Sequence, residues 1–215
     1  MKVKGAVFDA DGTLFDSMSV WDGAAEEYLR SIGFEPRENL TERFKNMSMQ
    51  DSAEFYRDEY GVRLSAGEIT EGVNRLIAGR YKNDVLTKPG VKEFLVMLKK
   101  IGTHMCIATA TDERLIRAAL ERNGISSYFD RIFTCVEVGA NKSSPEIYEN
   151  ALLYLGTNRD DTVVFEDSYN AAKTAKRAGF KVAAMYDSTE NEQDGLKSIS
   201  DWYFMNFYEA EVLTK

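Results

Sequence analysis

Hydrophobic and polar positions along the chain follow two different periods. Short apolar runs, which are typical of buried strands, occur at 3–8, 104–109, 131–135, 162–166, 180–185 and, more weakly, 201–204. Longer segments with apolar residues spaced three and four positions apart, which are typical of helices, occur at 91–101, 112–123, 145–155 and 169–178. Strands that alternate with helices in this way predict a parallel sheet with helices on both faces. The predicted fold class is therefore α/β with a doubly wound parallel sheet.

Residues 18–83 break this alternation. The stretch contains helix-like segments and no convincing strand, and these segments lie at 18–32, 38–46, 50–60 and 66–82. An Asp-rich turn follows the first strand directly, so we interpret the helices as an insertion. The predicted domains are a core of residues 1–15 and 87–215 and a helical domain of residues 16–86. The alternative is that these helices simply pack on the sheet.

Composition and charge narrow the class of protein. Hydrophobic residues make up 44% of the 215 positions and charged residues 29%, which is typical of a globular chain. The formal net charge of −8 makes the chain a poor candidate for binding nucleic acid, which needs clustered positive charge. No apolar run approaches the ~18 residues of a membrane span, and the N-terminus lacks the apolar region of a signal peptide. We therefore expect a cytoplasmic protein with no nucleic-acid or membrane partner.

Histidine and cysteine are too scarce for several common kinds of site. His104 is the one histidine of the chain, which argues against a Ser-His-Asp triad and against a typical zinc site. The two cysteines, Cys106 and Cys135, lie in strand-like apolar runs and are expected to be buried free thiols. Any chemistry must therefore depend on carboxylates, lysine and hydroxyl groups.

Acidic residues follow two of the predicted strands at the point where each strand ends. Asp9 and Asp11 come after the first strand, and Glu166 and Asp167 end the strand at 162–166. In an open parallel sheet, functional groups gather beyond the carboxyl ends of the strands where the strand order reverses. If these two strands are neighbours, the carboxylates face each other. Such an oxygen-rich cluster suggests a hard divalent cation, and Mg²⁺ is the cation we expect.

A hydroxyl and an ammonium group add an anion site to this picture. Thr109 ends the strand at 104–109, and Lys142 precedes a predicted helix that has Ser144 as its N-cap and Pro145 as its first residue. Beside a metal, such groups suit a phosphate. A carboxylate could then attack phosphorus in line and form an aspartyl-phosphate.

Four segments of the chain together resemble a known family. The stretch VFDADGTLFDS resembles the first motif, DxDGT, of the haloacid dehalogenase-like hydrolase superfamily. Thr109 in CIATATD, Lys142 in NKSSPEIY and Glu166-Asp167 in VVFEDSYNAAKTAKRAG resemble the second, third and fourth motifs. The order and spacing agree over nearly the whole chain, and the insertion agrees with a helical cap after the first motif. The resemblance implies a Rossmann-like core with an inserted α-helical cap, in the β-phosphoglucomutase-like and phosphatase subgroup.

The resemblance also implies roles for the motif residues. Asp9 would be the nucleophile, and Asp11 the general acid for the leaving alcohol and then the base for water. A dehalogenase does not need a proton donor two residues after the nucleophile, so Asp11 argues against dehalogenation. The metal site would be formed by acidic residues and one main-chain carbonyl, namely Asp9, the Asp11 carbonyl and Asp167, with Glu166 assisting. The phosphoryl group would be held by Thr109, Lys142 and main-chain N–H groups near Ala10, Asp11 and Ala110.

The insertion departs from the β-phosphoglucomutase pattern at an informative position. Met49 stands where those mutases place an arginine for the second phosphate of a bisphosphate, so hydrolysis is preferred over phosphoryl transfer within a sugar. Arg75 or Arg80 could substitute, so a sugar-phosphate mutase is the alternative. Trp21, Met47 and Met49 could line a substrate pocket, although core packing within the insertion explains them equally well.

The sequence thus predicts a Mg²⁺-dependent phosphatase that acts on a small phosphorylated metabolite, in particular a sugar phosphate. No obligate protein partner is implied. A remote alternative of another class is a phosphorylation-switch module, because receiver domains also combine acidic residues, a threonine and a lysine on a doubly wound sheet. Receiver domains are shorter, however, and have no helical insertion after the first strand.

Overall fold

The computed structural model describes residues 3–37, 40–44 and 49–215. The strands of this part of the chain are β1 Gly5–Phe8, β2 Phe15–Asp16, β3 Leu86–Thr87, β4 His104–Thr109, β5 Ile132–Thr134, β6 Thr162–Glu166, β7 Lys181–Met185 and β8 Trp202–Phe204. The α-helices are α1 Met18–Trp21, α2 Ala24–Ser31, α3 Leu40–Phe44, α4 Met49–Tyr60, α5 Ala66–Asn83, α6 Val91–Lys100, α7 Glu113–Arg122, α8 Cys135–Val138, α9 Glu146–Leu155, α10 Tyr169–Arg177 and α11 Gln193–Ile199. Short 3₁₀ helices lie at Ser126–Tyr128, Arg159–Asp161 and Glu209–Thr214.

The chain divides into two compact units. One consists of the residues up to Ser17 together with Val85–Lys215, and the other is Met18–Asp84. The first unit contains the sheet, and the second contains α1 to α5. The role of the helical unit as a cap stays a prediction.

The sheet of the first unit has the strand order β5-β4-β1-β6-β7-β8, and its neighbouring strands all pair in parallel. The order reverses at β1, which pairs with β4 on one side and β6 on the other. In this register Phe8 lies opposite Ile107 and Phe165, so the carboxyl ends of the three strands meet at one edge. The predicted α/β fold with a doubly wound parallel sheet is confirmed.

Both faces of the sheet are covered by apolar side chains. On one face, Phe8 stacks on Phe165 with ring centroids 4.5 Å apart, and Phe94 of α6 packs against both rings. The other face packs against residues of α9, α10 and α11, including Ile147 and Ala172. Alternate residues of the strands supply these two layers, which explains why the strands read as continuous apolar runs.

A short antiparallel pairing joins the two chain segments of the first unit that precede and follow the helical unit in the sequence. Phe15 of β2 lies opposite Thr87 of β3, and the Lys88 N–H donates to the Leu14 carbonyl over 2.9 Å. Two-residue strands give no period in the sequence, and this pairing was not predicted.

The helical unit has its own apolar core. Tyr28 and Leu29 of α2, Tyr56 of α4 and Ile69 and Val73 of α5 are buried together. Helix α5 begins with a capping box, in which Ser65 and Glu68 each bond the other's main-chain N–H. Burial on these three helices explains why the unit is compact.

Three local predictions are wrong. The helix expected over 18–32 is interrupted because Gly23 takes a left-handed conformation, with φ of 71°, and becomes the N-cap of α2. Pro145 rather than Ser144 is the N-cap of α9. Cys135 does not belong to a strand but opens α8, because the Thr134 side chain accepts a hydrogen bond from the Glu137 N–H and caps that helix.

In the described part of the chain, no helix is both long enough and apolar enough to cross a membrane.

Candidate active site

The turn after β1 is built around a glycine that no other residue could replace without displacement. The Asp9 N–H donates to the Phe165 carbonyl over 2.9 Å, which continues the sheet, and the Phe15 N–H then closes the turn on the Ala10 carbonyl. Gly12 has a φ of +75°, and a Cβ placed on it would lie 2.2 Å from Oδ2 of Asp167. The absence of a side chain at Gly12 therefore lets the carboxylate of Asp167 approach the main chain of this turn.

Three carboxylates meet at the reversal of strand order. One oxygen each from Asp9, Glu166 and Asp167 lies within 4.8 Å of the others. Asp9 follows β1, whereas Glu166 ends the neighbouring β6 and Asp167 comes next, so the parallel register of the two strands creates the cluster. The structure thus brings together these three of the four acidic residues that the sequence singled out.

Lys142 is the basic residue of this cluster. Its Nζ lies 2.6 Å from Oδ1 of Asp9 and 2.6 Å from Oε1 of Glu166. The turn that carries it is held by Asn141, whose Oδ1 accepts from the Ser143 N–H over 3.0 Å. Burial lowers the pKa of Lys142, but the carboxylates of Asp9 and Glu166 outweigh that effect and raise the pKa above its ordinary value. The ammonium group therefore stays charged.

The carboxylates carry more negative charge than Lys142 offsets. Burial raises the pKa of Asp9 from its ordinary value of 3.8 to about 7, although Lys142 acts in the opposite direction. Burial and the charges of Asp9 and Glu166 raise the pKa of Asp167 well above its ordinary value. Such crowded acids either hold protons or need a cation.

The donor set fits a hard divalent cation. Glu166 is fully buried, and its Oε2 has no hydrogen-bond partner among the described residues. Asp167 is oriented by Thr13, whose hydroxyl donates to Oδ1 over 2.7 Å. Carboxylate oxygens are the ligands that hard cations prefer, and a buried oxygen without a partner is uncommon unless a ligand satisfies it. The carboxylate cluster therefore has the composition of a metal site.

Two hydroxyl groups donate to the carboxylate of Asp11. Ser17 donates to its Oδ1 over 2.5 Å, and Thr111 donates to its Oδ2 over 2.7 Å. Neither of these hydroxyl donors was predicted. Ser17 stands in the motif VFDADGTLFDS itself, and Thr111 could be taken equally well for ordinary helix-start chemistry.

The predicted phosphate-binding residues lie at the same edge of the sheet. Thr109 ends β4, is buried, and accepts a hydrogen bond from the Thr111 N–H at its Oγ1 over 3.1 Å. Ala110 follows in an exposed bend. A threonine hydroxyl that accepts at its oxygen still has its own proton to donate, so Thr109 can bond an anion.

The predicted substrate-binding residues belong to the helical unit. Trp21 ends α1 and donates its Nε1 proton to the Tyr81 hydroxyl over 3.1 Å. Met47 lies outside the described residues, and so does the side chain of Met49, which begins α4. The roles of these residues stay predictions.

Two buried contacts near the acidic cluster were missed from the sequence. The Tyr148 hydroxyl donates to Oε1 of Glu166 over 2.9 Å. Lys88 and Asp187 form an ion pair of 2.8 Å with only 9% and 6% of their side chains exposed. Tyr148 falls on the apolar face of its helix, where an aromatic residue indicates core packing. No pattern in the sequence connects Lys88 with Asp187.

Comparison with known proteins agrees with this geometry. Residues 6–185 match the family described as haloacid dehalogenase-like hydrolase. A phosphorylated carbohydrates phosphatase from Thermotoga maritima is 26% identical over 193 residues, which cover 90% of this chain and 88% of that protein. Protein CbbY from Cereibacter sphaeroides is 28% identical over 190 residues, which cover 83% of this chain and 82% of the relative. The crystal structure of CbbY from Rhodobacter sphaeroides in complex with phosphate shares the fold, with a TM-score of 0.84, 23% identity and 96% of each chain covered.

The chain belongs to the haloacid dehalogenase-like hydrolase family. The family predicted from the four motifs is therefore confirmed. The predicted enzyme class, a phosphatase, is confirmed by this family and by relatives that are named phosphatases.

Proposed function

We propose that this protein is a Mg²⁺-dependent phosphomonoester hydrolase that works through an aspartyl-phosphate on Asp9. The observation that carries the proposal is the position of Asp9. Its carboxylate follows β1 at the reversal of strand order, within 4.8 Å of Glu166 and Asp167 and 2.6 Å from Lys142. A nucleophilic carboxylate beside a cation-binding cluster and an ammonium group suits the transfer of a negatively charged phosphoryl group.

Asp9 forms the new bond in the first step. An oxygen of its carboxylate attacks phosphorus, and the bond between phosphorus and the ester oxygen breaks. Mg²⁺, when bound, would neutralise phosphoryl charge and keep Asp9 deprotonated. Lys142 adds its charge to the phosphoryl oxygens, and Thr109 donates its hydroxyl proton to one of them. Asp9, Glu166, Asp167 and the carbonyl of Asp11 are the groups we assign to the cation.

Asp11 moves the proton in both steps. It protonates the leaving alkoxide, and as a carboxylate it then takes a proton from the water that attacks the phosphorus of the acyl phosphate. Ser17 and Thr111 hold its two oxygens at 2.5 Å and 2.7 Å, so the side chain occupies a defined rotamer before substrate binds. This arrangement supports separate roles for two carboxylates that are only two residues apart.

A phosphorylated carbohydrate is the substrate class we propose. The support is the name of the relative from Thermotoga maritima, a phosphorylated carbohydrates phosphatase. We assign substrate selection to the helical unit, as the family resemblance implies for an insertion after the first motif.

A panel of phosphorylated metabolites with Mg²⁺ tests the proposal. Release of phosphate should be fastest for sugar phosphates and should fall to background in the Asp9→Asn variant. The Asp160→Asn variant, which changes an exposed carboxylate of the same unit, is the matched control and should keep full activity. Phosphate release by Asp9→Asn at the normal rate would overturn the role of Asp9. NMR of a hexose 1-phosphate with a catalytic bisphosphate separates the alternative: free phosphate supports the hydrolase, and an isomerised ester supports a mutase.

A further inference from the structure

Tyr148 carries a buried hydroxyl that the proposed reaction does not use. The residue lies in the first turn of α9 and is fully buried, with its ring 6.2 Å from that of Phe180 between centroids. Its hydroxyl donates to Oε1 of Glu166 over 2.9 Å. Burial and the negative charges of Glu166 and Asp9 raise the pKa of Tyr148 well above its ordinary value. The hydroxyl therefore keeps its proton and acts as a hydrogen-bond donor.

Both donors to Glu166 bind the same oxygen. Lys142 approaches Oε1 to 2.6 Å and Tyr148 to 2.9 Å, whereas Oε2 has no hydrogen-bond partner among the described residues. A carboxylate held at one oxygen by two donors from different elements cannot rotate without breaking both bonds. Lys142 in turn spans from this oxygen to Oδ1 of Asp9 at 2.6 Å. The geometry therefore links Tyr148, through Glu166, to the ammonium group beside the nucleophile.

We propose that Tyr148 is a positioning residue: its hydroxyl fixes the carboxylate of Glu166, so that Oε1 anchors Lys142 against Asp9 and Oε2 stays available to the divalent cation. This role rests on the proposed function, because it assumes a cation at the acidic cluster. It acts through Glu166 and needs no contact between Tyr148 and the substrate. Groups that orient metal ligands in this way typically change metal affinity or activity by about 10- to 100-fold when they are removed.

The Tyr148→Phe variant removes only the hydroxyl and keeps the buried ring. Titration calorimetry with Mg²⁺ alone, without substrate, should show a Kd about 10- to 100-fold higher than that of the wild type. The matched control is Tyr203→Phe, which removes a hydroxyl that donates to Oε1 of Gln193 over 2.7 Å in the same unit. Its Mg²⁺ affinity should equal that of the wild type.

A double variant shows whether Tyr148 acts through Glu166. In a Glu166→Ala background, the further change Tyr148→Phe should leave the Kd for Mg²⁺ nearly unchanged, because the carboxylate that the hydroxyl orients is absent. Additive effects of the two changes would overturn the role. In steady-state assays at saturating Mg²⁺, Tyr148→Phe should lower kcat and leave KM for the phosphate ester nearly unaltered.

Wild-type Mg²⁺ affinity in Tyr148→Phe would also overturn the inference and leave the proposed function standing; a lower denaturation midpoint in that variant would then make the hydroxyl a purely structural group. A wild-type protein that binds no Mg²⁺ at millimolar concentration would instead overturn the proposed function and this role with it. The two failures are distinguishable because the first requires Mg²⁺ binding by the wild type.

Discussion

Replacing Gly12 with alanine should damage the acidic cluster through a single methyl group. The Cβ would lie 2.2 Å from Oδ2 and 2.6 Å from Cγ of Asp167, distances that force the carboxylate to move. Asp167 would then lose the 2.7 Å hydrogen bond from Thr13. We expect Gly12→Ala to be inactive or nearly so, and to bind Mg²⁺ at least tenfold more weakly, because a displaced carboxylate cannot complete the cluster.

Gly102 provides a matched control for the backbone. Its φ is +80°, close to the +75° of Gly12, but a Cβ there would meet nothing within 4 Å. Left-handed strain costs about 1–2 kcal/mol in either variant. Gly12→Ala also leaves a buried group of the Thr13–Asp167 pair without its partner, at a further cost of about 1–3 kcal/mol. The free energy of unfolding should therefore fall by about 1–2 kcal/mol in Gly102→Ala and by about 2–5 kcal/mol in Gly12→Ala.

Urea denaturation of both variants, with Mg²⁺ calorimetry on the same samples, checks these values. Gly102→Ala should keep the wild-type affinity for Mg²⁺, whereas Gly12→Ala should not. Equal losses of stability together with normal Mg²⁺ binding by Gly12→Ala would show that Asp167 does not need the space above Gly12, contrary to this expectation.

Three further perturbations follow from the same site. Asp11→Asn should reduce kcat/KM, which reports only the steps through departure of the leaving group, by about 10²–10⁴-fold for alkyl phosphates and much less for aryl phosphates, since a phenolate leaves without a proton. Similar losses of kcat/KM for both classes would contradict the general-acid role. The pKa of Asp9 is raised from 3.8 to about 7 in the folded chain, so the contribution of Asp9 to stability is present below about pH 4 and lost as the pH rises through 7. Urea midpoints measured in EDTA should therefore fall between about pH 4 and pH 7, and saturating Mg²⁺ should remove this fall. Lys88→Met should lower the free energy of unfolding by about 3–5 kcal/mol because it removes the ion-pair partner of the buried Asp187 and leaves it only the hydrogen bonds from Thr189. Adding Asp187→Leu should restore much of that loss, and a single variant as stable as the wild type would show that the pair contributes nothing.

The α/β architecture could be predicted because its strands and helices have strong periods. Each predicted strand lies within about a residue or two of an observed one at either end, including the weaker run that became β8. The helical unit was harder to predict, since Gly23 divides the first expected helix and no apolar period reveals a left-handed glycine in advance. The two-residue strands β2 and β3 form because they pair with each other, and this pairing is a tertiary contact that the local sequence does not show.

The acidic residues of the site could be predicted because they belong to strand ends, and Lys142 could be predicted from its resemblance to the third motif. Asp9, Glu166 and Asp167 stand directly after or at the end of neighbouring parallel strands, so topology alone brings them together. Ser17 and Tyr148 contact the acidic residues through side-chain directions that a linear pattern does not contain. Tyr148 is the clearer case, because its apolar ring satisfies the helix period while its hydroxyl serves the site.

The proposed function depends above all on phosphorylation of Asp9 during turnover. Its most direct test is to quench the enzyme during turnover of a sugar phosphate, reduce any acyl phosphate with borohydride and locate the modified residue by peptide mass spectrometry. We expect reduction at Asp9, and none in the Asp9→Asn variant or without substrate. Modification at another carboxylate, or continued phosphate release by Asp9→Asn, would contradict it.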